Sequence, residues 1–370
     1  MSSPHVSADS LQIRTIGHND TPIWGMSNAE RVRRMVTGAA KSGQIVADGY
    51  VLATNLAYVF DPVLLRLSLE KPGTVFTIGD ELVVGHILKD ADPKSVRDIA
   101  GVAITDLGQG TKIYNKQLRK LEAPFVRKLD PTSRHAIERE SYFGAYKGVT
   151  DALTKYLWPE LALILTRIAA QLKMTPNMVT GLGAMLCIAA TLLFAHGQYW
   201  TGMACGFTFM VFDTVDGKLA RCTITSSKWG NIFDHGIDLM HPPFWWYAWG
   251  VGLAVHGLAL STVSFVAIMV VIVAGYILQR LIEGAFIKDF DMDIHVWRRF
   301  DSQFRLVTAR RNPNMALLFF SVLLQRPDWG LIGLAWWTGI SLIVHAVRLA
   351  QAYRVRAAGG KIISWLAQAA

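Results

Sequence analysis

The run DTVDGKLARCTITSSKWGNIFDHGID (residues 213–238) places four aspartates, Asp213, Asp216, Asp234 and Asp238, between two apolar segments. Asp213 and Asp216 end the run MACGFTFMVF, and Asp234 and Asp238 open the next one. If both runs are helices, spacings of three and four residues put each aspartate pair on one helix face. Two such faces turned toward each other make a cage of four carboxylates, the ligand set that hard divalent cations such as Mg²⁺ or Mn²⁺ prefer. Carboxylates at the edge of a membrane segment are costly unless paired or metal-bound, which makes a functional role the first reading. The plainer alternative is that the four cap helix ends or pair with Lys218 and Arg221.

Outward from this run the composition is uneven. The chain has 370 residues, 52% of them hydrophobic. Residues 1 to about 155 read as ordinary mixed sequence, and long apolar runs dominate from about 175 onward. Six spans are expected, at about 177–196, 199–220, 232–255, 258–280, 313–325 and 330–350. The fifth is short for a hydrocarbon core of about 30 Å and reads as re-entrant or as beginning earlier. The net charge of +9 comes with no nucleic-acid-binding motif. Of the Lys and Arg residues from Lys173 onward, only Arg326 falls in an expected outer loop, so the charge fits basic loops on the cytoplasmic side. Both termini are then inside a cytoplasmic (inner) membrane, and the cage opens at the cytoplasmic mouth of spans two and three. Cys187, Cys205 and Cys222 lie in or beside apolar runs and read as small buried hydrophobes. The start MSSPHVSADS lacks a basic region followed by an apolar one, so no cleavable signal is expected.

The pattern D-x2-D-G-x2-A-R-x8-G-x3-D-x3-D resembles the signature of the CDP-alcohol phosphotransferase (CDP-alcohol phosphatidyltransferase) family, and Asp213, Asp216, Gly217, Ala220, Arg221, Gly230, Asp234 and Asp238 meet every position. The resemblance implies attack by an acceptor hydroxyl on the β-phosphorus of a CDP-alcohol, with release of CMP. It implies Asp213, Asp216 and Asp234 as principal ligands of two Mg²⁺ or Mn²⁺ ions, with Asp238 completing the cage and acting as general base. Two metals about 3.5–4 Å apart would clamp the diphosphate. Gly217 and Ala220 are small enough for a flat cytidine to approach the helix, and Arg221 offers a planar fork to phosphate. Ser227, and Asn177 and Thr180 of a P-N-x-x-T sequence, are carried over as further nucleotide contacts. A plain helix start explains Pro176 and Asn177 equally well. Cationic side chains near the cage would hold a phosphorylated acceptor: Arg310 and Arg311 first, Lys228 and Arg280 next. Those residues read otherwise as topology signals or lipid head-group contacts. His235, His241 and the HPPFWW run read as packing and interfacial anchors. The resemblance also implies a homodimer.

Ahead of the spans, NAERVRRMVTGAAKSG reads as a helix, YVLATNLAYVF as a strand run, VLLRLSLE as a helix and TVFTIGDELVVGHIL as two strands around a Gly79-Asp80 turn. KDADPKSVRDIAGV suggests another helix. The expected architecture is therefore an α-helical polytopic membrane domain preceded by a small cytoplasmic α/β domain. Residues 1–110 form that domain, 111–174 a connector with an interfacial helix over Leu157–Lys173, 175–356 the six-span domain and 357–370 a tail. TNLAYVFDPVLL and the VVGHI strand resemble a shortened nucleotidyltransferase, as found ahead of inositol-phosphodiester synthases. Its Gly-rich phosphate loop is missing, because Gly38 to Gly43 follows a helix rather than a strand. A degenerate scaffold fits better than a live enzyme.

Expected partners are thus a CDP-alcohol donor, an alcohol or phosphopolyol acceptor and the lipid bilayer, with no nucleic acid. Two other classes use acidic membrane sites. An aspartate-rich membrane prenyltransferase carries two separated Asp-rich motifs, whereas this chain has one contiguous constellation. A divalent-cation transporter would place acids mid-span in two repeated halves, and no internal repeat is present.

Overall fold

The computed structural model describes residues 13–44, 46–93, 102–109, 112–116 and 118–368. The helix expected over KDADPKSVRDIAGV lies largely outside them. The first body is a five-stranded mixed sheet of β1 (Ile13–Ile16), β2 (Tyr50–Asn55), β4 (Thr74–Ile78), β5 (Glu81–Leu88) and β6 (Ala103–Asp106), ordered β1-β2-β5-β4-β6. β5 pairs antiparallel with both β2 and β4, while β1 and β6 lie parallel to their neighbours. Helix α1 (Asn28–Lys41) starts where Ser27 accepts from the Glu30 amide, and buries Val32, Met35, Val36 and Ala39 at helical spacing. Helix α2 (Pro62–Glu70) starts where Asp61 accepts from the Val63 amide at 2.9 Å, with Pro62 at its first position. The Gly38-to-Lys41 segment is the last turn of α1, so no phosphate loop forms there.

Chain beyond residue 110 is sewn into this body. β3 (Tyr58–Phe60) pairs with β9 (Val126–Lys128), and β7 (Ile113–Asn115) with β8 (Lys120–Glu122). Helix α3 (Arg134–Gly144), a π-helical turn (Leu153–Leu157) and α4 (Pro159–Gln171) follow. On α4, Ala162, Leu163, Thr166, Ala169 and Ala170 are buried, while Leu161, Ile164 and Ile168 form an exposed apolar stripe.

The remaining helices are α5 (Pro176–Ala195), α6 (Tyr199–Cys222), α7 (Lys228–Gly252), α8 (Thr262–Phe290), the short α9 (Arg299–Phe304), α10 (Arg311–Leu323), α11 (Pro327–Ala357) and the terminal α12 (Trp365–Gln368). α5 packs on α6 and α7, α8 on α11, and α10 on α11 and α6. The burial is inverted relative to a soluble bundle: Gln279, Ser341 and His345 are inside, and Met185, Ile188, Val270, Leu281, Trp336 and Ile343 point outward. Polar groups face inward when the surroundings are lipid. The protein is a multi-pass membrane protein.

Six helices occupy the places of the six expected spans, and three of them, α5, α8 and α11, are by themselves long and apolar enough to cross. The others differ for physical reasons. α6 and α7 carry the charged residues of the site, and α10 has only 13 residues, about 20 Å of helix.

Helix α7 holds the bundle together. Trp245, Trp246 and Trp249 are buried, with Trp245 Nε1 donating to Cys187 O of α5 (3.1 Å) and Trp249 Nε1 to Pro327 O of α11 (3.0 Å). Tyr199 of α6 donates to Trp249 O (2.8 Å). His241 is buried against Phe209 and Trp245, so its packing role stands. Pro243 lies inside α7 and removes the amide that would serve Leu239 O. The Tyr276 hydroxyl of α8 donates to that carbonyl instead (3.1 Å). Cys187 and Cys222 are buried free thiols.

Trp249→Ala removes a fully buried indole and its bond to α11, so it should cost about 3–5 kcal/mol. Thermal unfolding in detergent should show a clearly lowered midpoint, while Trp229→Ala, on an exposed side chain, should leave it within experimental scatter.

Candidate active site

Asp213 and Asp216 sit in the last three turns of α6, and Asp234 and Asp238 in the second and third turns of α7. The helices therefore run on past the acids instead of ending at them. Carboxylate oxygens of Asp213, Asp216 and Asp234 all lie within 4.8 Å of one another. Asp238 joins through Arg311, which donates to Asp213 Oδ2 at 2.7 Å and to Asp238 Oδ1 at 2.5 Å. Asp216 is buried, and the Thr180 hydroxyl donates to its Oδ2 at 2.5 Å. Its Oδ1 is buried with no hydrogen-bond partner, an arrangement that is costly unless a cation or proton meets it. The donor set and the orphaned oxygen fit a hard divalent cation on Asp213, Asp216 and Asp234.

The four acids open into a cavity of about 1050 Å³ whose wall also includes Asn177, Thr180, Gly217, Ala220, Arg221 and Ser227. Ser227 caps α7 by accepting from the Gly230 amide at 2.9 Å. A Cβ on Gly230 would stand 2.9 Å from both Asn177 Oδ1 and Ser227 Oγ, so glycine lets these two side chains keep their places beside the α7 cap. Arg221 lies over Gly217, and its Nε donates to Ala145 O at 3.1 Å. Lys218 turns away from the acids, its Nζ over the Tyr146 ring at 2.8 Å from the centroid, a cation–π seat that ties α6 to the connector.

The cationic residues expected for an acceptor divide. Arg280, Arg310 and Arg311 line the cavity, whereas Lys228 is exposed on the first turn of α7 and does not reach the cavity wall. Arg311 is held by Asp213 and Asp238, so it braces the cage. Glu283 accepts from Arg310 at 2.5 Å and from Arg280 at 3.0 Å. His295 and His345 also approach Glu283, at 3.3 and 3.4 Å. With both carboxylate oxygens taken by guanidiniums, that cluster would repel a metal ion. Burial pushes the His295 imidazole down to about 4, so it is neutral there. His235 corrects the sequence reading: it lines the cavity 3.5 Å from Asp234 and is no packing residue.

Among the cavity residues that the sequence reading did not select, three are cations from the connector and the last inner loop. Arg119 and Lys147 come from the connector, and Arg305 from the loop between α8 and α10. Although Lys147 is exposed toward the cavity, desolvation within the cavity wall, followed by the charges of Arg119 and Arg221, brings its ammonium down to about 8 against the opposing pull of Asp213 and Asp234. Glu283, an acid of α8 just past the expected fourth span, was the available signal for this side of the site.

Apolar helices around an acidic cage and a cation-lined cavity define a membrane protein whose acids could hold a metal ion. Residues 173–339, a little under half of the chain, match the model of the family described as CDP-alcohol phosphatidyltransferase. Choline/ethanolaminephosphotransferase 1 of Arabidopsis thaliana is 36% identical over 94 residues, which is 21% of this chain and 23% of that protein. Cholinephosphotransferase 1 of Homo sapiens is 28% identical over 148 residues, 37% of this chain and 34% of that one. The chain thus spans only about a quarter to a third of the curated relatives it matches. The solved structure of Mycobacterium tuberculosis phosphatidylinositol phosphate synthase with CDP-DAG bound is similar at a TM-score of 0.38 and 17% identity, over 52% of this chain and 90% of that one.

Arg311 neutralises two carboxylates at once, and its pairs are partly open to the cavity, with Asp213 20% and Asp238 40% exposed. Arg311→Gln should cost on the order of 2 kcal/mol, between an exposed and a buried pair. Thermal unfolding in EDTA should show the loss, and excess Mg²⁺ should restore part of it by screening the freed acids.

Proposed function

We propose that the chain transfers a phosphoalcohol group from a CDP-alcohol to an acceptor hydroxyl and releases CMP, in phospholipid or inositol-phosphodiester synthesis. The observation that carries this reading is the convergence of Asp213, Asp216, Asp234 and Asp238 on one cavity beside Asn177, Ser227 and Arg221. A diphosphate cannot approach four carboxylates without cations between them. Asp213, Asp216 and Asp234 are the residues to hold Mg²⁺ or Mn²⁺, whose chemistry would be to screen the diphosphate and stabilise charge on the leaving oxygen.

The chain's own groups divide the remaining tasks. Asn177, Thr180, Gly217, Ala220, Arg221 and Ser227 form the nucleotide side, with the gap at Gly230 keeping Asn177 and Ser227 together. Asp238 is the most accessible of the acids, and Arg311 holds its Oδ1, which leaves Oδ2 to take the proton of the acceptor hydroxyl. The hydroxyl oxygen bonds to the β-phosphorus as the bond from that phosphorus to the bridging oxygen breaks, and CMP departs with the oxygen. Arg280 and Arg310, fixed by Glu283, stand on the acceptor side.

The membrane setting follows the same logic. α6, α7 and α10 also lie within the bilayer, α4 rests in its interface through Leu161, Ile164 and Ile168, and both termini face the cytoplasm. The N-terminal α/β body serves as a scaffold resembling a degenerate nucleotidyltransferase.

Purified protein should release CMP from a CDP-alcohol only with Mg²⁺ or Mn²⁺ present. Asp238→Asn should lower kcat about 10²–10⁴-fold while leaving Mn²⁺ binding in place. Unchanged turnover in that variant would remove Asp238 from the reaction. Metal-independent CMP release would remove the cage.

A further inference from the structure

Helix α6 ends on a residue that its own backbone disfavours. Thr225 N donates to Ala220 O (2.8 Å) and Ile224 N to Arg221 O (3.4 Å), the paired bonds of a helix end whose first residue past the cap is left-handed. Ile224 is that residue, at φ 53°. Glycine ordinarily fills the place, because a Cβ there crowds the backbone and a β-branched side chain crowds it most. A conformation of this kind persists only where the surroundings impose it.

The surroundings here are the N-terminal α/β body. Ile224 packs against the core that holds Val32, Met35, Val36, Leu64 and Phe76, and every other member of that cluster lies at or before Val126. One residue earlier, Arg34 of α1 donates from Nη1 to Thr223 O (2.9 Å), while its Nε donates to Glu30 of its own helix (2.9 Å). An apolar plug and a hydrogen bond on adjacent residues thus fasten the α6–α7 linker to chain 189 residues earlier. The rest of the linker faces the other way: Thr223, Thr225, Ser226 and Ser227 line the cavity, and Ile224 does not. Ser227 caps α7 and stands with Asn177 beside Gly230. Where the linker sits therefore sets where these groups sit. The acids are fastened separately, by Arg311 and by the tryptophans of α7.

We propose that Ile224 and Arg34 are positioning residues through which the N-terminal body clamps the α6–α7 linker and keeps the nucleotide side of the cavity in shape. The role in nucleotide binding rests on the transferase reading, whereas the clamp on the linker does not. The N-terminal body then governs affinity for a cytidine nucleotide and leaves the metal cage alone.

The test uses the full chain in detergent, with CMP and Mn²⁺ as probes. Ile224→Gly is the informative variant, because a purely local role predicts no loss when glycine takes the place it ordinarily fills. The clamp predicts the reverse. Ile224→Gly and Arg34→Gln should each weaken CMP binding about fivefold to tenfold, the scale of one lost hydrogen bond, with Mn²⁺ binding unchanged. Arg34→Lys, which can still donate to Thr223 O, should recover part of the loss. Because Ile224 is no part of the cavity wall, its effect on CMP has to pass through the linker. Arg34→Gln decides the matter if Ile224→Gly does not fold. CMP affinity at the wild-type value in the variants overturns the proposal. Wild-type protein that binds no CMP with Mn²⁺ overturns the transferase reading instead. Hydrogen exchange at the amides of residues 225–231 then judges the clamp by itself: faster exchange in the variants upholds it, and unchanged exchange overturns it.

Discussion

Mutual repulsion of carboxylates is the constraint around which this molecule is arranged. Asp213, Asp216 and Asp234 bring oxygens within 4.8 Å of one another at the inner face of a helix pair, with Asp238 one turn further on. Like charges this close are tolerated only with cations or a proton among them. Arg311 supplies one such charge from a third helix, and its planar fork reaches α6 and α7 at once, a geometry a lysine could not provide. The site is therefore a junction of α6, α7 and α10, with Thr180 of α5 adding a fourth contact.

The hydrophobic framework makes that junction rigid. Trp245 and Trp249 tie α7 to α5 and α11, Tyr199 of α6 donates to Trp249 O, and Tyr276 of α8 satisfies the carbonyl that Pro243 frees just beyond Asp238. Tertiary ties of this kind fix the rotation of α7, and the rotation decides whether Asp234 and Asp238 face the cavity or the lipid. On the other side, the front of the chain closes over α6: Arg34 donates to Thr223 O, Arg221 to Ala145 O, and Lys218 seats on Tyr146. The cavity is shared property of the membrane helices and the segments before them.

The cage was legible in the sequence because it depends on spacing within two helices, and helical periodicity converts spacing into a face. The same holds for α1, α2 and the β4-β5 hairpin, where caps and turn residues mark their own ends. The pairing of cations was not legible. Arg305, Arg310 and Arg311 look alike along the chain, yet one pairs with no carboxylate among the described residues, one serves Glu283 and one braces the cage, a division made by contacts across long sequence separations. Lys228, exposed on the first turn of α7, stands apart from the cavity wall. Arg119 and Lys147 were hidden because their proximity is created by a single backbone bond at Gly148. The short α10 shows the limit of hydropathy: its 13 residues are held by packing on α6 and α11, which composition does not report.

The most direct test of the cage is anomalous diffraction from crystals of the protein grown with Mn²⁺. The account predicts manganese between α6 and α7 within bonding distance of Asp213, Asp216 and Asp234, with Asp238 turned to the same cavity. Manganese absent from that position, or bound instead beside Glu283, His295 and His345, would contradict it.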